Sequence, residues 1–171
     1  MSEAASRAKW RHAVRAVMLA DDCSVLLCRF SVPHPAVPFD AAALWAAPGG
    51  GIEAGESALE ALQRELHEET GFVLDYEPVH VWHQEIAGPI DEGYDGIVND
   101  YFLVRTSRFE PRGALSDEDL AAENITGMRW WRQDEVAGYR GADQFSPRDL
   151  ATLLSALIAG DLPAAPTLIG L

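Results

Sequence analysis

Apolar positions recur at helical spacing in two places. Leu59, Leu62 and Leu66 fall on one stripe at about 100° per residue, and Leu150, Leu153, Leu154 and Leu157 on another. Each pattern predicts a helix with a single core-facing side. The first helix has marked ends: Ser57 and Glu60 stand at capping-box spacing, and Gly71 supplies the left-handed residue that stops a helix after Thr70. The second reads as starting at Ser146-Pro147, an N-cap followed by proline at the first helical position, and as ending at Gly160. Between the helices the pattern turns β-rich. Residues 12–19 and 24–29 flank an Asp21-Asp22 turn and predict a hairpin. Residues 79–86 and 97–106 read as strands joined through residues 88–93, and residues 125–131 as a strand leading to a short helix near Asp134. Residues 31–44, with Pro33, Pro35 and Pro38, read as a long loop bordering a substrate pocket. Residues 107–123 read as a polar, acidic loop. The division expected is a leader over 1–10, a single domain over 11–160 and a tail over 161–171, with no internal repeat.

The first helix also carries candidate chemistry. Glu65, Glu68 and Glu69 stand at i, i+3 and i+4, so their carboxylates share a face beside the leucine stripe. Glu60 and His67 point the other way, towards water. Ala58 and Ala61 read as lying on the carboxylate face, where small side chains leave room for a bulky group. Arg64, four residues before Glu68, is placed to brace it. Like charges at these spacings cost about 0.2–0.5 kcal/mol per pair. A hard cation such as Mg2+ removes the conflict, because it takes oxygen ligands from carboxylates, waters and substrate phosphates. Just upstream, Trp45-Ala-Ala47 runs through Pro48 into Gly49, Gly50 and Gly51. Glycines let another group approach the backbone closely, so this turn reads as the opposite wall of one site, offering carbonyls to a metal and N–H groups to phosphate oxygens. A solvated acidic face is the blander reading in a chain with 27 acidic residues. It explains neither the glycines nor the phasing of the acids.

Composition narrows the partners. At 171 residues and 48% hydrophobic, the chain has enough apolar material for one sizeable core. Net charge is −14, and Lys9 is the one lysine. That balance leaves no electrostatic footprint for duplex nucleic acid or an anionic membrane. It also opposes a phosphorylated substrate unless metal ions bridge the two. Cys23 and Cys28 read as reduced, structural thiols on opposite faces of a strand. No stretch has the length of a membrane span or the make-up of a signal peptide, so a cytoplasmic location is expected. The five histidines show no metal-ligand clustering in sequence; His80 and His83 flank Trp82 on a strand and read as structural. Trp82, Trp130 and Trp131 offer surfaces for a nucleobase, though aromatic residues on strands more often pack the core.

Gly50, Glu56, Arg64, Glu65, Glu68, Glu69 and Gly71, with Leu66 and Phe72 at two apolar slots, spell G-x5-E-x7-R-E-U-x-E-E-x-G-U, where U is bulky and apolar. The segment resembles the Nudix box, the signature of hydrolases that cleave nucleoside diphosphates linked to a variable group, and every box position is filled. The resemblance implies an α/β/α sandwich: a mixed β-sheet with the box as a loop–helix–loop beside it. Carried over, Glu65, Glu68 and Glu69 bind metal, joined by a backbone carbonyl of Gly49 or, by preference, Gly50. Glu56 and Arg64 hold the box together, and Gly49, Gly50, Gly51 and Trp45 are assigned to the substrate. Water would attack a phosphorus of the diphosphate bridge with the help of Mg2+, or Mn2+ in its place. The general base varies among subfamilies; Glu118 and Glu123 of the acidic loop are the candidates. The implied partner is a small phosphorylated molecule such as ADP-ribose, a nucleotide sugar or a nucleoside triphosphate, and homodimers are common in the family. Pro89 stands close to, but not at, the position of a proline that marks ADP-ribose hydrolases.

Two other readings compete. A non-catalytic Nudix-fold module for nucleotide binding or regulation usually loses box glutamates, whereas this box keeps all of them. An isomerase of the isopentenyl diphosphate type needs an active-site cysteine in a motif that surrounds neither Cys23 nor Cys28.

Overall fold

A computed structural model describes residues 7–31, 41–90 and 93–171. Its centre is β1 (Trp10–Ala20), a strand whose neighbouring side chains serve two different cores. Val14, Ala16 and Met18 face one side, together with Leu26, Leu62 and Leu66. Val17 and Leu19 face the other, together with Val25, Leu27, Trp82, Tyr101, Trp131 and Leu154. Successive strand residues point to opposite faces, so the stretch from Ala16 to Ala20, buried on both sides, is apolar throughout.

The sheet grows outward from this strand. β1 runs parallel to β6 (Tyr94–Thr106) along its whole length, from Trp10 opposite Gly96 to Ala20 opposite Thr106. The order is β8 (Gln144–Ser146), β3 (Ala43–Ala46), β2 (Ser24–Ser31), β1, β6, β5 (Val79–Ile90), β9 (Thr167–Ile169). β7 (Ile125–Arg132) pairs with β2, and β4 (Gly49–Gly51) pairs with β1. Parallel and antiparallel pairs mix, as expected. β1 meets β2 at Leu19 but β4 at Ala13–Arg15, so the sheet forks where the glycine turn comes in.

Helices close both faces. α1 (Ala58–Thr70) lies over one core, with Leu62 and Leu66 fully buried; burying each such side chain contributes about 1.5–3 kcal/mol. α3 (Gln133–Ala137) and α4 (Leu150–Ile158) lie over the other. The result is the α/β/α sandwich with a mixed sheet. Among the described residues, no helix is long and apolar enough to cross a membrane.

Several expectations change. Residues 107–123 are not loop throughout: Ser116 and Asp119 form a reciprocal capping box that starts α2 (Asp117–Ala122). The last helix begins later than Ser146-Pro147, with Asp149 at its N-cap, because Gln144–Ser146 pairs in parallel with β3. Residues 161–171, set apart as a tail, contribute β9, which lies parallel to β5. Ala61 is fully buried against Leu62 and Leu66, so it packs the core rather than leaving space above the acids. The pocket-bordering role given to the proline-rich loop falls mostly on residues 32–40, outside the described residues.

Candidate functional site

The ends of α1 form as its sequence dictates. Ser57 Oγ accepts the Glu60 N–H at 3.1 Å, and the Glu60 carboxylate accepts the Ser57 N–H at 2.8 Å. Gly71 closes the helix at φ 78°. Within this frame Arg64 is a hub. Its guanidinium grips Glu56 at 2.6 and 3.0 Å, reaches Glu65 at 2.8 Å and Glu68 at 3.5 Å, and donates to the Gly51 carbonyl at 3.0 Å. The hydrogen bond from Arg64 holds the Glu56 carboxyl down to about 2. One planar, five-donor side chain therefore fixes helix, acids and glycine turn together.

The glycine turn fits against the acids. Gly49 donates its N–H to Glu69 Oε2 at 3.1 Å, while its carbonyl lies 3.4 Å from Arg15 Nη1. A Cβ at Gly50 would displace the Glu65 carboxyl group, so the glycine lets that acid lie directly against the turn. Glu69 is almost wholly buried, and Glu65 nearly so. Burial, with the Glu65 charge beside it, pushes the Glu69 carboxyl up to about 8; burial likewise raises Glu65. Glu123 comes in from the C-terminal end of α2, so that one carboxylate oxygen each from Glu65, Glu69 and Glu123 lies within 4.8 Å of the others. Burial and the nearby Glu68 raise the Glu123 carboxyl as well.

This donor set fits a hard divalent cation. Burial and crowding work against the charged forms of these carboxylates, and a divalent cation offsets that cost. All the side-chain donors are oxygens, the ligand type that Mg2+ takes. The cluster opens into a cavity of about 700 Å³ lined by Glu65, Glu68, Arg64, Glu123, Arg11 and His12, with Trp10 and Tyr94 also on its wall.

The sequence-derived candidates divide accordingly. Glu65, Glu68, Glu69, Arg64 and the glycines come together. Glu118 does not: it is exposed on α2 and belongs neither to the acidic cluster nor to the cavity wall. Trp45 is buried in the core on the α4 side, edge-on to Trp131, with its Nε1 donating to Asp143 at 2.9 Å. Trp82 and Trp131 are buried on that side too, and Trp130 packs against Phe109. The aromatic rings at the cavity are instead Trp10 and Tyr94, which the sequence reading passed over. Trp10 lies over Gly96, where a Cβ would stand 2.5 Å from its ring, and Lys9 Nζ sits 4.5 Å from the centre of the Tyr94 ring. Arg11 was missed as well; its guanidinium lies over Gly51 at the cavity. The histidines are not unclustered either: His80, His83 and Asp100 offer ligand atoms that all lie within 4.8 Å of one another.

Comparison with known proteins places this geometry in a family. The NUDIX domain model matches residues 9–152. An RNA pyrophosphohydrolase from Erythrobacter litoralis (strain HTCC2594) is 33% identical over 105 residues, covering 54% of this chain; the match spans 61% of that protein's length. A NUDIX hydrolase from Nitrosomonas europaea has a similar fold, with a TM-score of 0.62 at 21% identity over 90% of this chain and 92% of its own. So does the NUDIX domain of Shewanella oneidensis NrtR, solved with ADP ribose, with a TM-score of 0.60 at 21% identity over 94% of this chain and 93% of its own. On the family match, with the fold and the filled box in agreement, the chain belongs to the Nudix family.

Proposed function

We propose that this chain is a divalent-metal-dependent pyrophosphohydrolase that cleaves the diphosphate linkage of a small nucleoside diphosphate derivative. The observation that carries the reading is the convergence of Glu65, Glu69 and Glu123 beside Gly49–Gly51. Glu65, Glu68, Glu69 and the Gly50 carbonyl would hold Mg2+, or Mn2+ in its place. The bound cation supplies Lewis-acid polarisation and charge neutralisation at the diphosphate. Water attacks one phosphorus, the bridging P–O bond breaks, and two phosphate groups leave as separate products. Glu123, nearer neutrality than an ordinary carboxylate, takes the proton from the attacking water. Arg11 faces the phosphate oxygens, and Arg64 keeps the acids in register.

The cavity wall supports a nucleoside substrate. Trp10 and Tyr94 present aromatic surface beside the acids, and any base has a π-face to stack there. The relative named as an RNA pyrophosphohydrolase brings RNA into the comparison, but a net charge of −14 opposes a long polyanion. A small substrate working in the cytoplasm fits better.

The test is a Mg2+-dependent screen of ADP-ribose, nucleotide sugars, nucleoside triphosphates and a 5′-triphosphorylated RNA oligomer. Cleavage of a small nucleotide that requires Mg2+ and falls at least ~100-fold in Glu69→Gln is expected, by analogy with other lost electrostatic stabilisers. Cleavage that survives chelation, or a Glu69→Gln variant with near-normal turnover, contradicts the proposal.

A further inference from the structure

We propose that His80, His83 and Asp100 form a second metal site, for a borderline cation of the Zn2+ or Co2+ class, on the sheet surface of β5 and β6. None of the three lines the acidic cavity. Asp100 Oδ1 lies 2.6 Å from His83 Nδ1 and 3.0 Å from His80 Nε2, so one carboxylate oxygen and two imidazole nitrogens converge on one point. Ligand atoms bonded at about 2.0–2.1 Å around a tetrahedral ion stand about 3.3 Å apart, so the His80–Asp100 pair must widen by about 0.3 Å and the His83–Asp100 pair by about 0.7 Å, which rotation of these part-exposed side chains supplies. The donors sit on paired strands, with His83 directly opposite Asp100. All three side chains keep about a quarter to a third of their surface exposed, which gives an ion a way in.

The surroundings complete the pattern. Glu85 Oε1 lies 3.1 Å from His83 Nε2, the ring nitrogen turned away from Asp100. That is the carboxylate–histidine–metal arrangement, which fixes the tautomer and raises ligand basicity. His80 is stacked on Phe102 at 4.8 Å between centroids, which sets its ring plane. Two imidazoles with one carboxylate suit Zn2+ or Co2+, whereas Mg2+ goes to the all-oxygen cluster under α1. Three protein ligands leave a fourth position for water. A ring nitrogen binds a metal through its lone pair, so an ion here displaces any proton from His83 Nδ1 and draws His80 Nε2 away from the Trp82 carbonyl, 3.1 Å distant.

The test uses the full chain, stripped by chelation and then held in excess Mg2+ to occupy the carboxylate cluster. Titration with Co2+ at pH 8, followed by visible absorption, should show one saturable ligand-field band per chain that Zn2+ displaces. His83→Ala and Asp100→Asn should each weaken binding by at least about 10-fold, and Glu85→Gln by about 10-fold, in line with outer-shell effects at metal sites. Glu69→Gln should titrate like the wild type, which separates this site from the diphosphate site. Thermal melts identify variants that fail to fold, and His80→Gln then serves in place of His83→Ala. No saturable band in the wild type, or equal Co2+ binding by the wild type and the folded His80 or His83 variant, overturns the proposal and leaves His83 simply hydrogen-bonded between Asp100 and Glu85.

Discussion

Arg64 shows how one residue can set a site without touching the reacting atoms. Its fork binds Glu56 at two points and also reaches Glu65, Glu68 and the Gly51 carbonyl. Lysine keeps the charge but has no planar fork, so Arg64→Lys leaves several of these partners loose. Turnover should fall about 100-fold, the scale of loss expected when catalytic groups shift by about 1 Å. Circular dichroism should be unchanged, because α1 has its own caps and core contacts. Steady-state kinetics beside the far-UV spectrum checks this, and a variant with wild-type turnover would show that Arg64 is dispensable. At this scale the sequence was informative about α1, because acids at i, i+3 and i+4 must share a face whatever surrounds them. It was silent on Arg11 and Trp10, and it offered Glu123 only beside Glu118, with nothing to choose between them. Arg11, Trp10 and Glu123 reach the site through strand register and a returning loop, which leave no local mark.

At the scale of elements, the pairing of β1 with β6 builds the aromatic wall. Trp10 opposite Gly96 places the indole over a residue with no side chain, and Tyr94 lies at the start of the same strand. A base held there gains about 1–3 kcal/mol from stacking. Trp10→Ala should therefore raise KM by about 5- to 150-fold with little change in kcat, since the ring is away from the phosphorus. An unchanged KM across nucleotide substrates would remove Trp10 from the binding surface. Helix ends were legible wherever a local device marked them, as at Ser57, Glu60 and Gly71. Ser146-Pro147 has the same local look, yet pairing with β3 draws Ser146 into a strand and delays α4. The capping box at Ser116 and Asp119 was equally local, but it was hidden in a stretch whose acidity suggested a loop.

For the molecule as a whole, a strongly acidic chain concentrates buried carboxylates at one place, and this couples its stability to pH and to cations. In the unfolded chain Glu69 ionises near 4.5, whereas in the folded chain it keeps its proton to about 8. Between those values the folded state holds the extra proton and unfolding releases it. The metal-free protein should therefore lose stability as pH rises through that window. A divalent cation takes the place of the proton, so Mg2+ should raise the melting temperature more at pH 8.5 than at pH 6. Melting curves across pH with and without Mg2+ check the sign, and a metal-free protein that grows more stable from pH 5 to pH 8 would contradict it. The fold class followed from the order of elements and the filled box. The two-faced burial of β1 and the pairing of β9 depend on distant partners, and only the assembled sheet reveals them.

On the proposed function, Glu65, Glu68 and Glu69 hold a hard cation against the glycine turn. Anomalous diffraction from crystals soaked in Mn2+ would locate that ion. A Mn2+ peak within bonding distance of these carboxylates and a Gly49–Gly51 carbonyl is the expected result. Density showing the acids unchanged, with no Mn2+ between them and the glycines at saturating concentration, would contradict it.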